Sequence, residues 1–405
     1  MPVTSTTGTA HASTALFTDH YELTMLAAAL RDGTAHRQCT FELFARSLPP
    51  GRRYGVIAGT ARLLDALPEF CFGADELAAL EPVLDGATLQ WLGDYAFRGD
   101  IDGYREGELY FPGSPVLSIR GGFAECVVLE TLALSILNHD SAVASAAARM
   151  VSAAQGRALI EMGSRRTHEE SAVASARAAY LAGFAATSNL EAGRRYAVPT
   201  SGTSAHSFTL LHTDRDGPDE AAAFRSQVDA LGVDTTLLVD TYDITAGIGT
   251  AVRVAGPELG AIRIDSGDLG VMAVQARAQL DALGARKTRV VVSGDLDEYA
   301  IAALRVEPID AYGVGTSLVT GSGAPTAGMV YKLVEVDGVP VAKRSSNKPS
   351  RGGRKRALRR ARSTGTVVEE LIRPWNDPVE AGPDDRQLLL PMVRAGEVLP
   401  NLPTL

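Results

Sequence analysis

The sequence predicts an α/β fold: a (β/α) barrel with a second α/β domain that is discontinuous along the chain. Seven short apolar segments, starting near residues 158, 183, 198, 236, 261, 290 and 311, alternate with helical stretches, as consecutive βα units do. Each segment ends in Arg, Asp, Ser, Thr, Asn or His, and the strand ends of such a barrel converge on one rim where ligands bind. Seven units without an obvious break favour a closed barrel over an open, doubly wound sheet.

The residues before this region predict a mixed α/β module. Residues 16–31 predict a helix that Thr18 or Asp19 can cap. Residues 39–46 alternate apolar and polar side chains, which is typical of a half-buried strand. The stretch 85–120 is rich in Gly, Pro and aromatic residues, and residues 123–155 predict two Ala/Leu-rich helices.

The residues after Gly328 return to strand-like pieces, followed by a basic run and a Pro-rich tail. This change of pattern indicates that the chain leaves the barrel and rejoins the first module. We therefore expect an outer α/β domain made of residues 1–122 and 337–405, and a barrel domain made of residues 123–336.

The composition excludes several classes of protein. The 405 residues are 45% hydrophobic and 21% charged with a net charge of −9, as in soluble globular proteins and unlike disordered chains or membrane bundles. Cys39, Cys71 and Cys126 are too few and too scattered for a disulfide framework or a C-x-x-C zinc site. The most apolar window, 127–137, is shorter than the ~20 residues of a membrane span. The first 15 residues lack the pattern of a signal peptide and predict a short flexible tail. We expect a reduced, cytoplasmic protein without a membrane partner.

A strip of residues 343–362 contains ten basic side chains and no acidic one. Outside this basic strip there are 29 basic and 48 acidic side chains, a net charge of −19. Such a run is typical of a solvated loop or strand edge, and binding of a phosphorylated small molecule is the alternative. Nucleic acid is disfavoured because no aromatic residue interrupts the run to stack on bases. Of the strip, residues 343–348 are the favoured phosphate contacts.

Three glycine-containing turns follow predicted strands and indicate a phosphate site. They are RIDSGD at 263–268, SGD at 293–295 and GVGTS at 313–317. Glycine allows backbone N–H groups to approach phosphate oxygens, and the helix that follows presents its positive end. Aspartates in these turns can hold ribose hydroxyls or a Mg²⁺ ion that bridges phosphates, although S-G-D turns also serve as simple helix caps. Neither a Walker A motif nor a dinucleotide-binding G-x-G-x-x-G fingerprint follows a strand.

His206 lies just past a predicted strand end, in the segment SGTSAHSF. Asp240, at the end of the next strand, can accept a hydrogen bond from one ring nitrogen and leave the other as an acid, base or nucleophile. Arg165 and Arg166 end another strand, where they can bind an anion or pair with Glu169 and Glu170. No G-x-S-x-G elbow or H-E-x-x-H motif indicates a hydrolase triad or a zinc site.

Taken together, these segments resemble the nicotinate phosphoribosyltransferase family from near the amino terminus to the basic strip. The matching pieces, in order, are LFTDHYELTM (16–25), EMGSRRTHE (161–169), ATSN (186–189), GTSAHSF (202–208), VDTYD (239–243), RIDSGDL (263–269), SGDLDE (293–298) and GVGTSLVTG (313–321), followed by YKLVEVDG and KRSSNK. Eight motifs in the family's order are a specific signal, whereas any one of them alone is weak.

The resemblance implies a type II phosphoribosyltransferase with an irregular α/β barrel and a sandwich-like outer domain, acting as a homodimer in NAD salvage. Family members condense nicotinate with phosphoribosyl pyrophosphate to give nicotinate mononucleotide and pyrophosphate in the presence of Mg²⁺. They couple the reaction to ATP hydrolysis through a phosphorylated histidine. His206 matches that histidine, with Asp240 as its orienting carboxylate.

The resemblance also assigns the remaining site residues. For nicotinate it implies contacts from Tyr21, Thr203 and Arg263, with Tyr21 reaching into the neighbouring subunit's site. For phosphoribosyl pyrophosphate it implies contacts from Arg165, Asp265, Ser293, Gly294, Asp295, Gly315 and Thr316. Mg²⁺ would be held through the substrate phosphates, with Asp265 and Asp295 as candidate protein ligands.

Two positions bear on the choice of substrate. Related nicotinamide enzymes carry an aspartate where this chain has Ser188, and a carboxylate there would repel nicotinate, so Ser188 favours the acid. Met162 stands where relatives often carry an aromatic residue that stacks on the pyridine ring. Methionine can cover a ring face, and a role in the core is the alternative.

Other functions remain as alternatives at this stage. A quinolinate or nicotinamide phosphoribosyltransferase would share the fold, and the former would need a more cationic pocket for two carboxylates. A barrel aldolase or isomerase would need a lysine or a carboxylate base at a strand end, and Glu161 is the one glutamate so placed. A nucleic-acid binder would depend on the basic strip alone, against an acidic remainder.

Overall fold

The computed structural model describes residues 13–344, 351–378 and 380–400. The predicted N-terminal tail up to residue 12 and Lys348 of the basic strip lie outside them. The chain forms two compact units, one of Met1–Ser141 with Thr326–Leu405 and one of Ala142–Pro325. The first is discontinuous in sequence.

These limits differ from the boundaries expected after residues 122 and 336. Residues Leu129, Leu132 and Leu137 belong to the hydrophobic core of the first unit, so the boundary falls later than the change of composition. At the other end, the strand Met329–Val336 pairs with the strand Gln38–Ala45 of the first unit. Strand pairing and side-chain burial are long-range contacts, which composition along the chain does not reveal.

The strands of the described residues are β1 (Gln38–Ala45), β2 (Gly55–Val56), β3 (Asp100–Gly103), β4 (Leu109–Tyr110), β5 (Leu117–Gly122), β6 (Ala158–Glu161), β7 (Ala186–Thr187), β8 (Thr213–Asp214), β9 (Gly217–Pro218), β10 (Thr236–Leu238), β11 (Ala261–Ile264), β12 (Arg289–Ser293), β13 (Ala311–Val314), β14 (Met329–Val336), β15 (Val339–Pro340), β16 (Lys355–Ala361), β17 (Val367–Pro374), β18 (Arg386–Gln387), β19 (Leu390–Arg394) and β20 (Glu397–Val398).

The helices of the same residues are α1 (His20–Asp32), α2 (Thr60–Ala66), α3 (Ala74–Leu80), α4 (Gly86–Gly93), α5 (Phe123–Val127), α6 (Glu130–Ala154), α7 (Glu169–Leu181), α8 (Leu190–Tyr196), α9 (His206–Leu211), α10 (Glu220–Leu231), α11 (Ile244–Ala255), α12 (Leu269–Ala282), α13 (Glu298–Leu304) and α14 (Thr316–Val319), with a 3₁₀ turn at Ala15–Phe17.

The first unit is built on a seven-stranded sheet in the order β15-β14-β1-β5-β3-β19-β20. Its strand β1 was expected to be half-buried, but it pairs with both β14 and β5 and its residues 39–43 are all buried. The polar side of the strand is covered because Glu42, 1% exposed, forms an ion pair of 2.5 Å with Lys355. The alternation of apolar and polar side chains identified the strand. Its burial depends on the segment around Lys355, which lies far away in the sequence.

The distal part of the basic strip forms ion pairs inside this unit. Arg359, 3% exposed, pairs with Glu108 at 2.8 Å and with Glu370 at 2.5 Å. Arg354 pairs with Asp102 at 3.3 Å and lies over the Trp375 ring. Acidic residues of the same unit therefore neutralise charges that the sequence suggested were solvated.

The second unit contains a six-stranded, fully parallel sheet in the order β10-β11-β12-β13-β6-β7. Six of the seven predicted segments form these strands. The segment beginning at residue 198 contributes one parallel bridge, between Thr200 and Thr187. Pro199 has no N–H to donate, which limits pairing there. Because the strands are parallel, all their carboxyl ends lie at one edge of the sheet.

One helical stretch of the described residues, Phe123–Ala154, is long and apolar enough to cross a membrane by length and composition. About two-thirds of its apolar window (67%) is buried inside the protein, as in the core helix of a soluble protein. This helical stretch is longer than the most apolar sequence window, residues 127–137, which ends at Leu137. All three cysteines are free.

Candidate active site

Two cavities open at the carboxyl edge of the parallel sheet, and they share four lining residues. The first has a volume of about 310 Å³ and the second of about 220 Å³. Met162, Arg165, Arg263 and Asp265 line both. These side chains come from residues after β6 and from β11 and its following turn, so the parallel register of the strands brings them together.

The first cavity collects residues predicted to contact nicotinate, together with the predicted phosphohistidine. Its remaining lining residues are Ser164, Ser188, Ser201, Gly202, Thr203, Ser204, Ala205, His206 and Leu238. Small and hydroxylated side chains make up most of this lining. Such a lining leaves room for a flat ring and offers hydrogen-bond donors to a polar substituent.

The second cavity collects residues predicted to bind phosphate. Its remaining lining residues are Arg166, Ser293, Gly294, Asp295, Gly313, Gly315 and Thr316. Arg165 and Arg166 form no ion pair with any described residue; Glu170 pairs instead with Arg195 at 2.7 Å. Both guanidinium groups are exposed and are therefore available to an anion.

Arg263 is held rigidly between the two cavities. Its Nε donates to Ser293 at 2.8 Å, Nη1 donates to Thr203 at 2.9 Å, and Nη2 donates to Asp265 at 2.9 Å. Nη1 also lies 3.3 Å from the Ser204 carbonyl oxygen. A guanidinium has five N–H donors, so one Nη2 donor remains for a ligand.

Asp265 is the charge partner of Arg263 and stays ionised. Burial alone would raise the pKa of this carboxyl, but hydrogen bonds from Ser293 and Arg263, the charge of Arg263 and that of His206 lower it below its ordinary value. The two-residue spacing in RID places Arg263 and Asp265 on the same side of the strand end.

His206 makes a different contact from the one expected. Its Nδ1 lies 3.1 Å from the Thr241 hydroxyl, whereas its Nε2 is 4.0 Å from both Asp240 and Asp265. The latter distances exceed hydrogen-bond range. One oxygen of Asp240 instead accepts from the Asp265 N–H at 2.8 Å and the Ser266 hydroxyl at 2.6 Å. The other oxygen, Oδ1, is buried and has no hydrogen-bond partner among the described residues.

The glycine turns place some aspartates at the cavities and others at helix ends. Gly294 has φ +109°, and a Cβ there would lie 2.6 Å from the Asp265 carbonyl oxygen, so only glycine fits. Asp295, with φ +44°, lines the second cavity. By contrast, Asp268 accepts from the Val271 N–H at the start of α12, and Asp297 caps α13. Both alternatives for the S-G-D turns therefore occur in this protein.

Tyr21 belongs to helix α1 of the first unit, while the residues described above belong to the second. Its side chain is 46% exposed. Burial of the hydroxyl and the nearby Glu130 carboxylate, to which it is hydrogen-bonded, raise the pKa of Tyr21. The Tyr21 hydroxyl is therefore engaged within its own unit, while the residue as a whole is exposed on the helix.

The carboxylates at the cavities bear on where a Mg²⁺ ion could bind. No group of three or more His, Cys, Asp or Glu side chains suited to a metal occurs in the part of the chain that the structure describes. Asp265 and Asp295 line the second cavity, but Asp265 is already bound to Arg263 and Ser293. Two carboxylates fit a Mg²⁺ ion that keeps waters and takes its other ligands from substrate phosphates.

Several lining residues were missed by the sequence reasoning. Ser164, Ser201, Ser204 and Gly313 lie within or beside the family motifs. Thr241, which lines neither cavity but contacts His206, was also missed and lies inside VDTYD. Their position in the motifs was the available signal. Which hydroxyl in a motif faces the cavity depends on backbone geometry, which the letters alone do not give.

Comparisons with known proteins identify one family. The profile described as nicotinate phosphoribosyltransferase N-terminal domain matches residues 16–138. A nicotinate phosphoribosyltransferase of Mycobacterium tuberculosis is 71% identical, covering 94% of this chain and 86% of its own. That of Bacillus subtilis is 38% identical, covering 86% and 73%. The crystal structure of human nicotinic acid phosphoribosyltransferase superposes with a TM-score of 0.82 at 26% identity, covering 96% and 91%.

Proposed function

The chain belongs to the nicotinate phosphoribosyltransferase family, and we propose that it joins nicotinate to phosphoribosyl pyrophosphate in NAD salvage. The products are nicotinate mononucleotide and pyrophosphate. The observation that carries this proposal is the sorting of the predicted residues into two adjoining cavities, one with the ring contacts and one with the phosphate contacts. Arg263 and Asp265 join the two.

In the proposed reaction the pyridine nitrogen of nicotinate forms a bond to the anomeric carbon of the ribose, and the bond from that carbon to the pyrophosphate oxygen breaks. The positive charge that develops on the sugar needs a site that aligns the two reactants rather than a strong base. The remaining Nη2 donor of Arg263 suits the nicotinate carboxylate. The Ser293–Gly294–Asp295 turn and Thr316 suit the donor's ribose and phosphates.

Mg²⁺ is proposed to accompany phosphoribosyl pyrophosphate and to neutralise the departing pyrophosphate when bound. Asp265 and Asp295 are the side chains that would hold it. The chain's own contribution in the second cavity is a pair of exposed arginines and backbone N–H groups, which bind spread-out phosphate charge.

ATP coupling through His206 is a further part of the proposal. The γ-phosphoryl group of ATP would pass to a ring nitrogen of His206, releasing ADP, and water would later take the phosphoryl group as phosphate. Thr241 engages Nδ1, so Nε2 is the ring nitrogen that no described residue binds within hydrogen-bond distance. Asp240, whose Oδ1 lies 4.0 Å from Nε2 and has no partner among the described residues, suits a role in orienting the ring and stabilising its protonated form before Nε2 takes the phosphoryl group.

The assembly and the setting are proposed on the family resemblance. They comprise a cytoplasmic homodimer in which Tyr21 reaches the neighbouring site, a closed irregular barrel and a sandwich-like outer domain. The parallel sheet of the second unit supports the closed barrel, and the seven-stranded sheet of the first unit supports the sandwich-like outer domain. Lys343 and Arg344, which begin the KRSSNK piece, are exposed cations, which suits a phosphate contact.

The deciding experiment is an activity assay with phosphoribosyl pyrophosphate and Mg²⁺ in which nicotinate, nicotinamide and quinolinate are compared with and without ATP. We expect nicotinate mononucleotide from nicotinate, with stimulation by ATP and release of ADP. Product from nicotinamide alone, or CO₂ release from quinolinate, would assign the chain to the other pyridine substrates on this fold.

A further inference from the structure

Glu161 ends strand β6 and is completely buried, with a relative exposure of 0%. It was the one glutamate at a predicted strand end that a barrel isomerase could use as a base. Glu161 lines neither of the two cavities, so a substrate in them would not touch its carboxylate. A role other than proton transfer must account for a charged side chain in this position.

Both carboxylate oxygens of Glu161 are engaged by the protein. Oε1 accepts a hydrogen bond from the Gly163 N–H, and Oε2 accepts one from the Thr187 hydroxyl at 2.5 Å. The backbone oxygen of Glu161 accepts from the Ser188 N–H at 2.8 Å. Within the described residues no Lys, Arg or His neutralises this carboxylate. Burial raises the pKa of Glu161, while the Thr187 and Gly163 hydrogen bonds act in the opposite direction.

The hydrogen bonds continue into a closed ring that ties two loops together. The Thr187 oxygen accepts from the Asn189 N–H at 2.9 Å, and the Asn189 amide Nδ2 donates to the Ser164 hydroxyl at 3.0 Å. Ser164 follows Gly163 in the chain, which closes the ring through Glu161. The ring therefore joins residues 161–164, at the end of β6, to residues 187–189, at the end of β7.

These two loops carry side chains of both cavities. Met162 and Arg165 from the first loop line both cavities, and Ser188 from the second lines the cavity assigned to nicotinate. The first loop has little freedom: a Cβ on Gly163 would lie 2.3 Å from Val319 and 2.9 Å from Glu161. The position of Met162, Arg165 and Ser188 thus depends on how Glu161 holds the backbone between them.

We propose that Glu161 is a positioning residue that, through its hydrogen-bonded ring with Gly163, Thr187, Asn189 and Ser164, sets the geometry of the nicotinate pocket. This inference rests on the proposed function for the identity of the ligand. Removing one ring bond should loosen the binding loops without removing a group that touches the reacting atoms.

The test uses the full-length variants Glu161→Gln and Thr187→Val and the double variant. Glu161→Gln replaces one acceptor oxygen with an amide group, and Thr187→Val removes the hydroxyl that donates to Glu161 and accepts from Asn189. Both changes keep side-chain size. We expect KM for nicotinate to rise about tenfold with kcat changed less than about threefold, because a charge-assisted hydrogen bond contributes on that order. The double variant should be no worse than either single one, since both break the same ring. Thr187→Ser keeps the hydroxyl and should restore the wild-type KM.

Glu298→Gln is the matched control. Glu298 is also buried, at 7% exposure, and is bonded to Arg149 and Ser322 in the same unit, but it lines neither cavity. The Glu298→Gln change should lower the melting temperature without raising KM for nicotinate. An equal rise of KM in this control, additive effects of the two ring changes, or no rescue by Thr187→Ser would overturn the proposal.

Hydrogen–deuterium exchange separates this inference from the proposed function. Exchange at residues 162–166 and 187–189 should increase in Glu161→Gln relative to wild type, whatever substrate the enzyme uses. Unchanged exchange there would contradict the ring. A wild-type protein that fails to use nicotinate, with exchange increased in the variant as expected, would contradict only the proposed substrate.

Discussion

At the scale of single residues, the site depends on a few polar side chains whose roles follow from what they touch. Arg263 donates to Ser293, Thr203 and Asp265 and so keeps one orientation between the cavities. His206 touches Thr241 rather than Asp240. His206 and Ser188, which both line the first cavity, each lead to a prediction at this scale.

Replacing His206 should separate phosphorylation from the underlying transfer reaction. We expect His206→Ala to lose acid-labile, base-stable phosphate labelling from ATP and to lose stimulation by ATP, because the accepting nitrogen is gone. Labelling with γ-³²P ATP and the activity assay check this. His212→Ala is the control, since His212 ends the same helix and its Nδ1 contacts the Phe208 carbonyl oxygen. Label that persists in His206→Ala would place the phosphorylated residue elsewhere.

Adding a carboxylate at Ser188 should shift the choice between acid and amide. Ser188 lines the first cavity, and a negative side chain there would repel the nicotinate carboxylate by roughly 1–2 kcal/mol, or about tenfold or more in kcat/KM. We expect Ser188→Asp to lose nicotinate activity and gain activity with nicotinamide. Ser188→Asn has the same size without the charge, and equal losses in both variants would point to crowding instead.

At the scale of elements, the βα turns combine helix capping with ligand contacts. Asp243 accepts from the Ala246 N–H at the start of α11, and Asp268 and Asp297 cap α12 and α13. Each cap satisfies N–H groups that the first helical turn leaves free. The neighbouring residues of the same turns can then face the cavities, because the N–H groups of the first helical turn are already satisfied by the caps.

The start of α10 provides a test of pH dependence at this scale. Glu220 is partly buried, one of its oxygens has no partner among the described residues, and burial together with the charge of Asp243 raises its pKa from 4.5 to about 7. Because the folded-state pKa is the higher one, its stabilising contribution is complete below about 4.5 and is lost as the pH rises through about 7.

We expect Glu220→Gln to be more stable than the wild type at pH 8 by on the order of 1 kcal/mol, a value reduced for solvent screening. The difference should shrink as the pH falls to about 4.5. Chemical denaturation across this range measures it. Glu169→Gln changes the first residue of α7, where the side chain is exposed, and should show no such gain. A pH-independent gain in Glu220→Gln would exclude titration as the cause.

At the scale of the whole molecule, one unit carries both cavities and the other carries Tyr21 and most of the basic strip. The strip's distal cations pair with Glu42, Asp102, Glu108 and Glu370 within their own unit. A buried pair that loses one partner leaves an uncompensated charge, so Arg354, Lys355 and Arg359 act on stability. These paired cations are correspondingly less available to nucleic acid.

The proposed sharing of Tyr21 between subunits can be tested by mixing inactive variants. Tyr21→Ala and His206→Ala would each lack one component of the ATP-stimulated reaction. If Tyr21 acts on the neighbouring subunit's site, a mixed dimer regains one complete site, and equal mixing should restore about a quarter of the wild-type ATP-stimulated activity. Unfolding and refolding the two together, against each refolded alone, measures the recovery. No recovery, with mixed dimers confirmed by mass, would place Tyr21 in its own subunit's site or outside any site.

The sequence by itself determined the family and the alternation of strands and helices. Most of the site residues that it predicted line one of the two cavities. Strand periodicity and turn residues are local properties, and parallel strands then bring their carboxyl ends to one edge without further information. The tertiary structure decided what depends on contacts between distant segments. It separated the aspartates that cap helices from those at the cavities, placed Thr241 rather than Asp240 on His206, and buried Arg359 against Glu108. It also showed that the Glu161 carboxylate contacts two loops and lines neither cavity, because the direction of a side chain at a strand end depends on neighbours that lie far away in sequence.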